Sequence, residues 1–309
     1  MKGIVVRTTG SWYRVLEESG AYYDCKLKGN FRIKGIRSTN PVAVGDKVEF
    51  NLLPGEGYGL IHVIGDRHNY IIRRSTKLSK ATHIIAANLD IMVIVASIEQ
   101  PRTSTGFIDR LLVTAEAYHI PAAVVFNKCD LYSHESEEQA EKLIELYNSL
   151  GYISFRTSAV TGEGLSKFNE LLSGKVALLS GHSGVGKSAL VNYIEPDLHL
   201  RTGIISDFSG KGMHTTTFAE MFPLQNGGFL IDTPGIKEFG LVHFESSEVA
   251  ERFPEFRKLL PQCRYNNCTH VHEPGCAVKQ ALENGEVDTV RYKNYLSILN
   301  DENLDAVEY

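Results

Sequence analysis

Lys175-Val-Ala-Leu-Leu-Ser-Gly-His-Ser-Gly-Val-Gly-Lys-Ser-Ala-Leu-Val-Asn-Tyr-Ile194 is the stretch from which the rest of the chain can be read. Val176 to Leu179 is an apolar run that reads as a buried strand. It feeds directly into Gly181, His182, Ser183, Gly184, Val185, Gly186, Lys187 and Ser188, which follow the pattern G-x-x-x-x-G-K-S. Ala189 comes next, and Leu190, Val191 and Ile194 then recur at helical spacing. A strand, a glycine-rich turn and a helix N-terminus together make a phosphate cradle, because the backbone N–H groups point inward and the helix dipole favours an anion. In such a cradle Lys187 reaches the β- and γ-phosphates and Ser188 holds Mg²⁺. The alternative is a glycine-rich turn that matches by chance, which the strand before it and the helix after it disfavour.

The composition is that of a globular protein. The chain has 309 residues, enough for about two domains on the usual size prior. Its 43% hydrophobic and 22% charged content is ordinary. No apolar run approaches the length of a membrane span, and the N-terminus lacks the apolar core of a signal peptide, so a cytoplasmic protein with no membrane partner is expected. The net charge of −5 conceals an asymmetry: residues 1–40 carry eight Lys/Arg against three acids. That surplus fits a polyanionic partner for one domain, and it also fits an uneven solvated surface.

Residues 1–68 read as all-β. Gly3–Arg7, Trp12–Leu16, Tyr22–Leu27, Lys47–Leu52 and Leu60–Ile64 are short strands separated by Gly, Asn and Pro turns. Five strands in so short a stretch suggest a small barrel of the OB-fold kind, which binds oligonucleotides. Trp12, Tyr13, Tyr22, Tyr23 and Phe31 lie among the basic residues, a mixture that can stack on bases and meet phosphates, although some of these rings must fill the barrel. Arg67 to Lys80 reads as a basic linker. From about residue 81, strands and helices alternate: strand 90–97, helix 107–118, strand 122–127, helix 136–150, strand 153–157, helix 165–172, the phosphate-loop unit, and a strand pair at 218–222 and 228–231. This alternation predicts an α/β domain with a mainly parallel sheet covered on both faces, its ligands bound beyond the carboxyl ends of the strands. Beyond residue 245 the pattern turns helical, over 246–253, 278–284 and 287–299.

The chemistry-bearing motifs fall at those strand ends. Asn127, Lys128, Cys129 and Asp130 form N-K-x-D. A carboxylate at Asp130 accepts from both N1–H and N2–H of guanine, whereas adenine offers an acceptor at N1 and no amine at C2. A site built for paired hydrogen bonds rejects the wrong base by several kcal/mol. Asn127 would brace the loop and the stem of Lys128 would cover the ring. Ser158 and Ala159 follow the next strand, where backbone amides could meet guanine O6. After the phosphate-loop helix, His214 precedes Thr215, Thr216 and Thr217 in a glycine-rich segment able to close over Mg²⁺ and the γ-phosphate. Asp232, Thr233, Pro234 and Gly235 then form D-x-x-G, in which Asp232 can hold Mg²⁺ through water and Gly235 can turn its N–H to the γ-phosphate.

There are five cysteines, three of them (Cys263, Cys268 and Cys276) crowded near the C-terminus. In a chain without an export signal this clustering favours a metal over disulfides. Three thiolates and an imidazole suit tetrahedral Zn²⁺, with His270 and His272 as rival fourth ligands. Four protein ligands would leave no open position, so the ion would be structural.

The order of the nucleotide motifs is unusual: the base-reading elements precede the phosphate-reading ones. With G-H-S-G-V-G-K-S, H-T-T-T and D-T-P-G-I-K-E-F-G, this permuted order resembles the RsgA (YjeQ) family of circularly permuted GTPases. The resemblance implies three domains, an OB-fold RNA-binding barrel over 1–68, a permuted GTPase over 69–245 and a helical zinc-binding domain over 246–309. It also implies GTP and GDP with Mg²⁺, one Zn²⁺ held by Cys263, Cys268, His270 and Cys276, and the 30S ribosomal subunit with its 16S rRNA as partner of a monomer. Ile236 follows D-T-P-G where many GTPases place a water-orienting Gln, and an aliphatic side chain cannot orient water. The family shares that replacement. His214 is the nearest substitute in sequence and the resemblance implies a catalytic role for it, against the alternative of packing or phosphate contact. The expected function is GTP hydrolysis in a binding-and-release cycle on the maturing 30S subunit; the alternative is a nucleotide-gated RNA-binding module in which hydrolysis is incidental.

Overall fold

The structure, a computed structural model, describes residues 1–28, 41–74, 82–198, 219–232 and 246–300. Five strands, β1 (Lys2–Thr9), β2 (Trp12–Glu17), β3 (Tyr22–Leu27), β4 (Lys47–Leu52) and β5 (Gly59–Ile64), close into a barrel. Their order is β1-β2-β3-β5-β4, and β4 pairs back onto β1. Alternation decides which side chains fill it. Tyr13 and Val15 point inward to Val5, Cys25, Phe50 and Ile61, while Trp12 and Arg14 face out. The five strands expected from the sequence are all present.

The basic linker expected over Arg67 to Lys80 is not one throughout. Tyr70–Arg74 is a strand, β6, paired antiparallel with β7 (Thr82–Ala87). Two long-range devices hold this ribbon to the barrel. Arg67 makes a two-pronged, buried ion pair with Asp46, both bonds 2.6 Å, and Ala87 N–H donates to Val44 O at 2.8 Å. A linker reading counts Arg67 as a solvated charge, and its partner lies 21 residues away.

The α/β part has the strand order β10 (Ile153–Arg156), β9 (Ala122–Phe126), β8 (Ile91–Ala96), β11 (Val176–Ser180), β13 (Phe229–Asp232) and β12 (Glu220–Pro223). All neighbours are parallel except β12 with β13. Every residue of β8 is buried, as expected of a central strand covered on both faces. Residue parity assigns the faces. Met92, Ile94 and Ala96 meet the helices α1 (Thr105–Ala117) and α2 (His134–Ser149), whereas Ile91, Val93 and Val95 meet α3 (Leu165–Leu172) and α4 (Lys187–Ile194). The chain runs outward from β8 to β10 and returns to β11 on the other side of β8. This reversal opens a crevice between the carboxyl ends of β8 and β11. The barrel joins the far edge through one β1–β12 bridge, Arg7 to Glu220, whose side chains are 3.7 Å apart.

The C-terminal unit contains α5 (Ser246–Glu251), α6 (Pro254–Arg257), α7 (Ala277–Glu283) and α8 (Thr289–Leu299). The last helix begins two residues later than its apolar pattern because Asp288 caps it, accepting from the N–H groups of Val290 and Arg291. The unit docks on α1 through charge as well as apolar packing. Arg291, 1% exposed, meets the buried Asp109 at 2.5 Å and Glu255 at 2.8 Å, and its guanidinium lies 4.5 Å from the centre of the Phe253 ring. Removing one partner of a buried ion cluster strands the others, so Arg291→Ala is expected to cost about 3–5 kcal/mol of stability by urea unfolding. A loss below about 1 kcal/mol would show that the cluster is not what fastens the unit.

Candidate guanine-nucleotide and metal sites

The phosphate loop starts where β11 ends. Gly181 and Gly186 both have positive φ, at +139° and +96°. Both are also forced to lack a side chain: a Cβ at Gly181 would collide with the Val95 carbonyl oxygen, and one at Gly186 with the Asn127 amide. Lys187 donates from Nζ to the carbonyls of Gly181 and His182, each at 2.6 Å, which places its ammonium inside the loop. Ser188 is buried in the first turn of α4. Val185 anchors the loop in the apolar layer beneath it, beside Leu190 and Val191.

The Asn127–Asp130 loop is fastened to this one. Asn127, 1% exposed at the end of β9, donates from Nδ2 to Val185 O at 2.8 Å and accepts at Oδ1 from the Thr157 hydroxyl at 3.1 Å. One side chain thus joins three loops. Lys128 adopts a left-handed conformation, φ 65°, and its stem passes close to Gly186 on the way to Gln100 O, where Nζ donates at 2.5 Å. The Ser158 hydroxyl donates to Asp130 and accepts from the N–H groups of Val160 and Thr161, both at 3.1 Å. The carboxylate that would read the base is therefore held before any base arrives. Ala159, next to Ser158 in the same turn, packs on the layer beneath α3 and α4. Burial, reinforced by Glu163, pushes the Cys129 thiol up to about 11, so it is neutral at pH 7; its backbone N–H holds Thr157 O at 3.1 Å.

Residue-by-residue reading missed the brace behind this turn. Arg156 pairs with Glu163 at 2.6 Å and Glu137 at 2.8 Å, clamping the two ends of residues 157–162 between β10 and α2. Nothing in a local motif marks Arg156, because Glu137 is 19 positions away.

Of the residues expected to close on the phosphate, Asp232 ends β13. Parallel pairing of Ile231 with Leu178 sets its backbone beside the end of β11, at the same edge as the phosphate loop. His214, Thr215, Thr216, Thr217, Gly235 and Ile236 lie outside the described residues.

The second site is in the C-terminal unit. The ligand atoms of Cys263, Cys268, His270 and Cys276 all lie within 4.8 Å of one another. His270 Nδ1 is 3.3 Å from Cys276 Sγ and 3.7 Å from Cys263 Sγ. A tetrahedral zinc with bonds of about 2.3 Å to sulfur and 2.0 Å to nitrogen needs a nitrogen-to-sulfur separation of about 3.5 Å, which the two His270 distances bracket, and three thiols with an imidazole fit the ion in chemistry. His272 is exposed and is not in the cluster, whereas His270 stands among the three thiols. Burial pushes the Cys268 thiol up to about 12; a cation would be needed to hold it as thiolate. Glu273 organises the loop between ligands. It accepts from the backbone N–H groups of Thr269 (2.7 Å), Val271 and His272 (both 3.1 Å) and from the Thr269 hydroxyl (2.6 Å). Burial alone would raise its pKa; these bonds hold it at about 2. Tyr292 and Tyr295 fix the same loop from α8, donating to His270 O and Thr269 O at 2.7 and 2.6 Å.

The barrel sorts its rings. Tyr13 is buried and Tyr23 packs on Phe50, so both belong to the core, and Phe31 lies outside the described residues. Trp12 (39% exposed) and Tyr22 (46%) stand on the outer face, each beside a cation. Lys26 Nζ lies 4.5 Å from the Trp12 ring centre and 4.6 Å from that of Tyr58, and the Arg14 guanidinium 5.2 Å from that of Tyr22. Among the described residues no helix is long and apolar enough to cross a membrane.

Comparison with known proteins agrees with this geometry along the whole chain. A profile described as the RsgA GTPase matches residues 64–242, and one described as the RsgA N-terminal domain matches residues 2–61. A protein of Bacteroides fragilis named small ribosomal subunit biogenesis GTPase RsgA is 53% identical over 301 residues, 97% of each chain. Its namesake in Porphyromonas gingivalis is 52% identical over 309 residues, 99% of this chain and 98% of the relative. Among solved structures, YjeQ from Thermotoga maritima superposes with a TM-score of 0.78 at 36% identity, covering 99% of both chains. YloQ, described as a circularly permuted GTPase, gives 0.75 at 29%, over 100% of this chain and 96% of its own. Identity of this degree over nearly the full length shows that the chain belongs to the RsgA family of circularly permuted GTPases.

Proposed function

We propose that this chain hydrolyses GTP and that the cycle times its binding to, and release from, the small ribosomal subunit during maturation. The observation that carries the reading is Asn127, which joins the base-reading loop, the Thr157–Ala159 turn and the phosphate loop in one hydrogen-bonded unit. In that unit Asp130 would accept from the guanine N1–H and N2–H and Lys187 would meet the β- and γ-phosphates. Ser188 would hold Mg²⁺, joined by a threonine of 215–217 and, through water, by Asp232. The ion would neutralise charge on the phosphate oxygens as the bond to the γ-phosphate breaks. His214 is our choice for orienting the attacking water, since Ile236 cannot.

The outer face of the barrel supports 16S rRNA as the contacted partner, because exposed rings alternating with cations suit stacked bases and phosphates. The Cys263–Cys268–His270–Cys276 cluster would hold one structural Zn²⁺. We place the protein in the cytoplasm, as a monomer when off the ribosome. Binding to purified 30S subunits should be tighter with a non-hydrolysable GTP analogue than with GDP. His214→Ala should lower hydrolysis at least tenfold and delay release. Normal release without hydrolysis would contradict the clock and leave a nucleotide-gated binder.

A further inference from the structure

One helix touches both the phosphate loop and the metal-binding unit. In the first turn of α1 the Phe107 ring stacks on the His182 imidazole, with centroids 3.8 Å apart and planes 25° from parallel. His182 is the second residue of the phosphate loop, and its carbonyl takes the Lys187 ammonium at 2.6 Å. On a different stripe of the same helix, Asp109, Val113 and Glu116 recur at i, i+4 and i+7, and all three belong to the other interface. Asp109 accepts from Arg291 at 2.5 Å and from Asn294 at 2.6 Å, both on α8. Val113 is fully buried in the core of the C-terminal unit, and Glu116 meets Arg257 at 2.5 Å.

We propose that Phe107 is a positioning residue that ties the phosphate loop to the C-terminal unit, so that nucleotide state and the packing of α8 bias each other through α1. The proposal rests on the guanine-nucleotide reading above. Its physical basis is an exchange of partners. When phosphate oxygens draw Lys187 from the carbonyls of Gly181 and His182, those carbonyls lose a charged donor, and the backbone that carries the His182 ring readjusts. The stack passes the displacement to the N-terminal turn of α1. On the opposite side of that turn stands a buried ion cluster, whose short charge-assisted bonds resist sliding. Coupling between two sites is reciprocal, so whatever grips the C-terminal unit alters nucleotide affinity by the same factor.

The test is amide hydrogen exchange in the full chain, read at residues 289–299, with GDP and with a non-hydrolysable GTP analogue, both at saturation. The wild type should show a several-fold difference in α8 exchange between the two nucleotides. Phe107→Leu keeps apolar volume but removes the flat ring. It should leave nucleotide-free exchange in α8 unchanged and reduce the nucleotide-dependent difference below twofold, while Phe107→Tyr should keep it. A Leu variant that responds like the wild type would overturn the proposal and assign the coupling to the chain between Asp232 and α5. A wild type that binds both nucleotides with no difference in α8 would also overturn it. Nucleotide occupancy, measured in the same samples, separates that failure from failure of the guanine reading, in which neither nucleotide binds and both proposals fall.

Discussion

Replacing Asp130 with Asn should lower affinity for GTP by about 100- to 1,000-fold and raise it for xanthosine triphosphate. A carboxylate accepting two N–H groups from guanine makes two charge-assisted bonds, each worth about 1.5–3 kcal/mol; Asn keeps one of them as a weaker neutral bond and loses the other, a change of about 2.7–4.1 kcal/mol that converts to that range. The amide of Asn can accept at one position but presents a donor at the other, which suits the carbonyl at C2 of xanthine. The effect should be large because Asp130 has no slack. Ser158 donates to it, and the Ser158 oxygen is itself held by the amides of Val160 and Thr161. Competition binding with the two nucleotides reads the result directly. An unchanged GTP-to-XTP ratio would mean that Asp130 does not read the base.

Losing the metal should have the other large effect, confined at first to the C-terminal unit. Structural zinc contributes apparent energies of about 10–16 kcal/mol in finger peptides, which exceeds the total stability of many small domains. The loop from Cys263 to Cys276 has few alternatives to it. Its described backbone is fixed by Glu273 and by two tyrosine hydroxyls from α8, while the four donors face one another. Cys263→Ala is the informative substitution, because Cys276 also caps α7 by accepting from Lys279 N–H at 3.4 Å. The variant is expected to retain no zinc by elemental analysis and to lose exchange protection across α7 and α8. Wild-type protection without metal would show that packing around Phe253, Phe256 and Tyr295 suffices.

The parts of the site that were legible in the sequence are those in which a few adjacent residues carry the whole chemistry. The glycines of the phosphate loop and the N-K-x-D run are of this kind, since each sits at a strand end and each strand is a plain apolar run. Their order along the chain revealed the permutation. What was hidden depends on partners far apart in sequence. Arg67 read as part of a linker because Asp46, which buries it, belongs to the barrel. Arg291 and Asp109 stand 182 positions apart, and neither looks unusual locally. The basic surplus of residues 1–40 was ambiguous for a similar reason. Arg7 is partly spent on Glu220 and Lys2 on Glu49, whereas Lys26 and Arg14 lie against exposed rings. Composition counts these charges alike; only the fold separates those paired with acids from those lying against exposed rings.

A GTP cycle that times release from the small ribosomal subunit requires hydrolysis to respond to that subunit, which we propose as its trigger. The most direct measurement is the single-turnover rate of GTP hydrolysis by the full chain, alone and with a saturating excess of purified 30S subunits. With Ile236 in place of a water-orienting side chain, intrinsic turnover should be slow, and 30S subunits should raise it at least tenfold. Equal rates with and without 30S subunits would contradict the account.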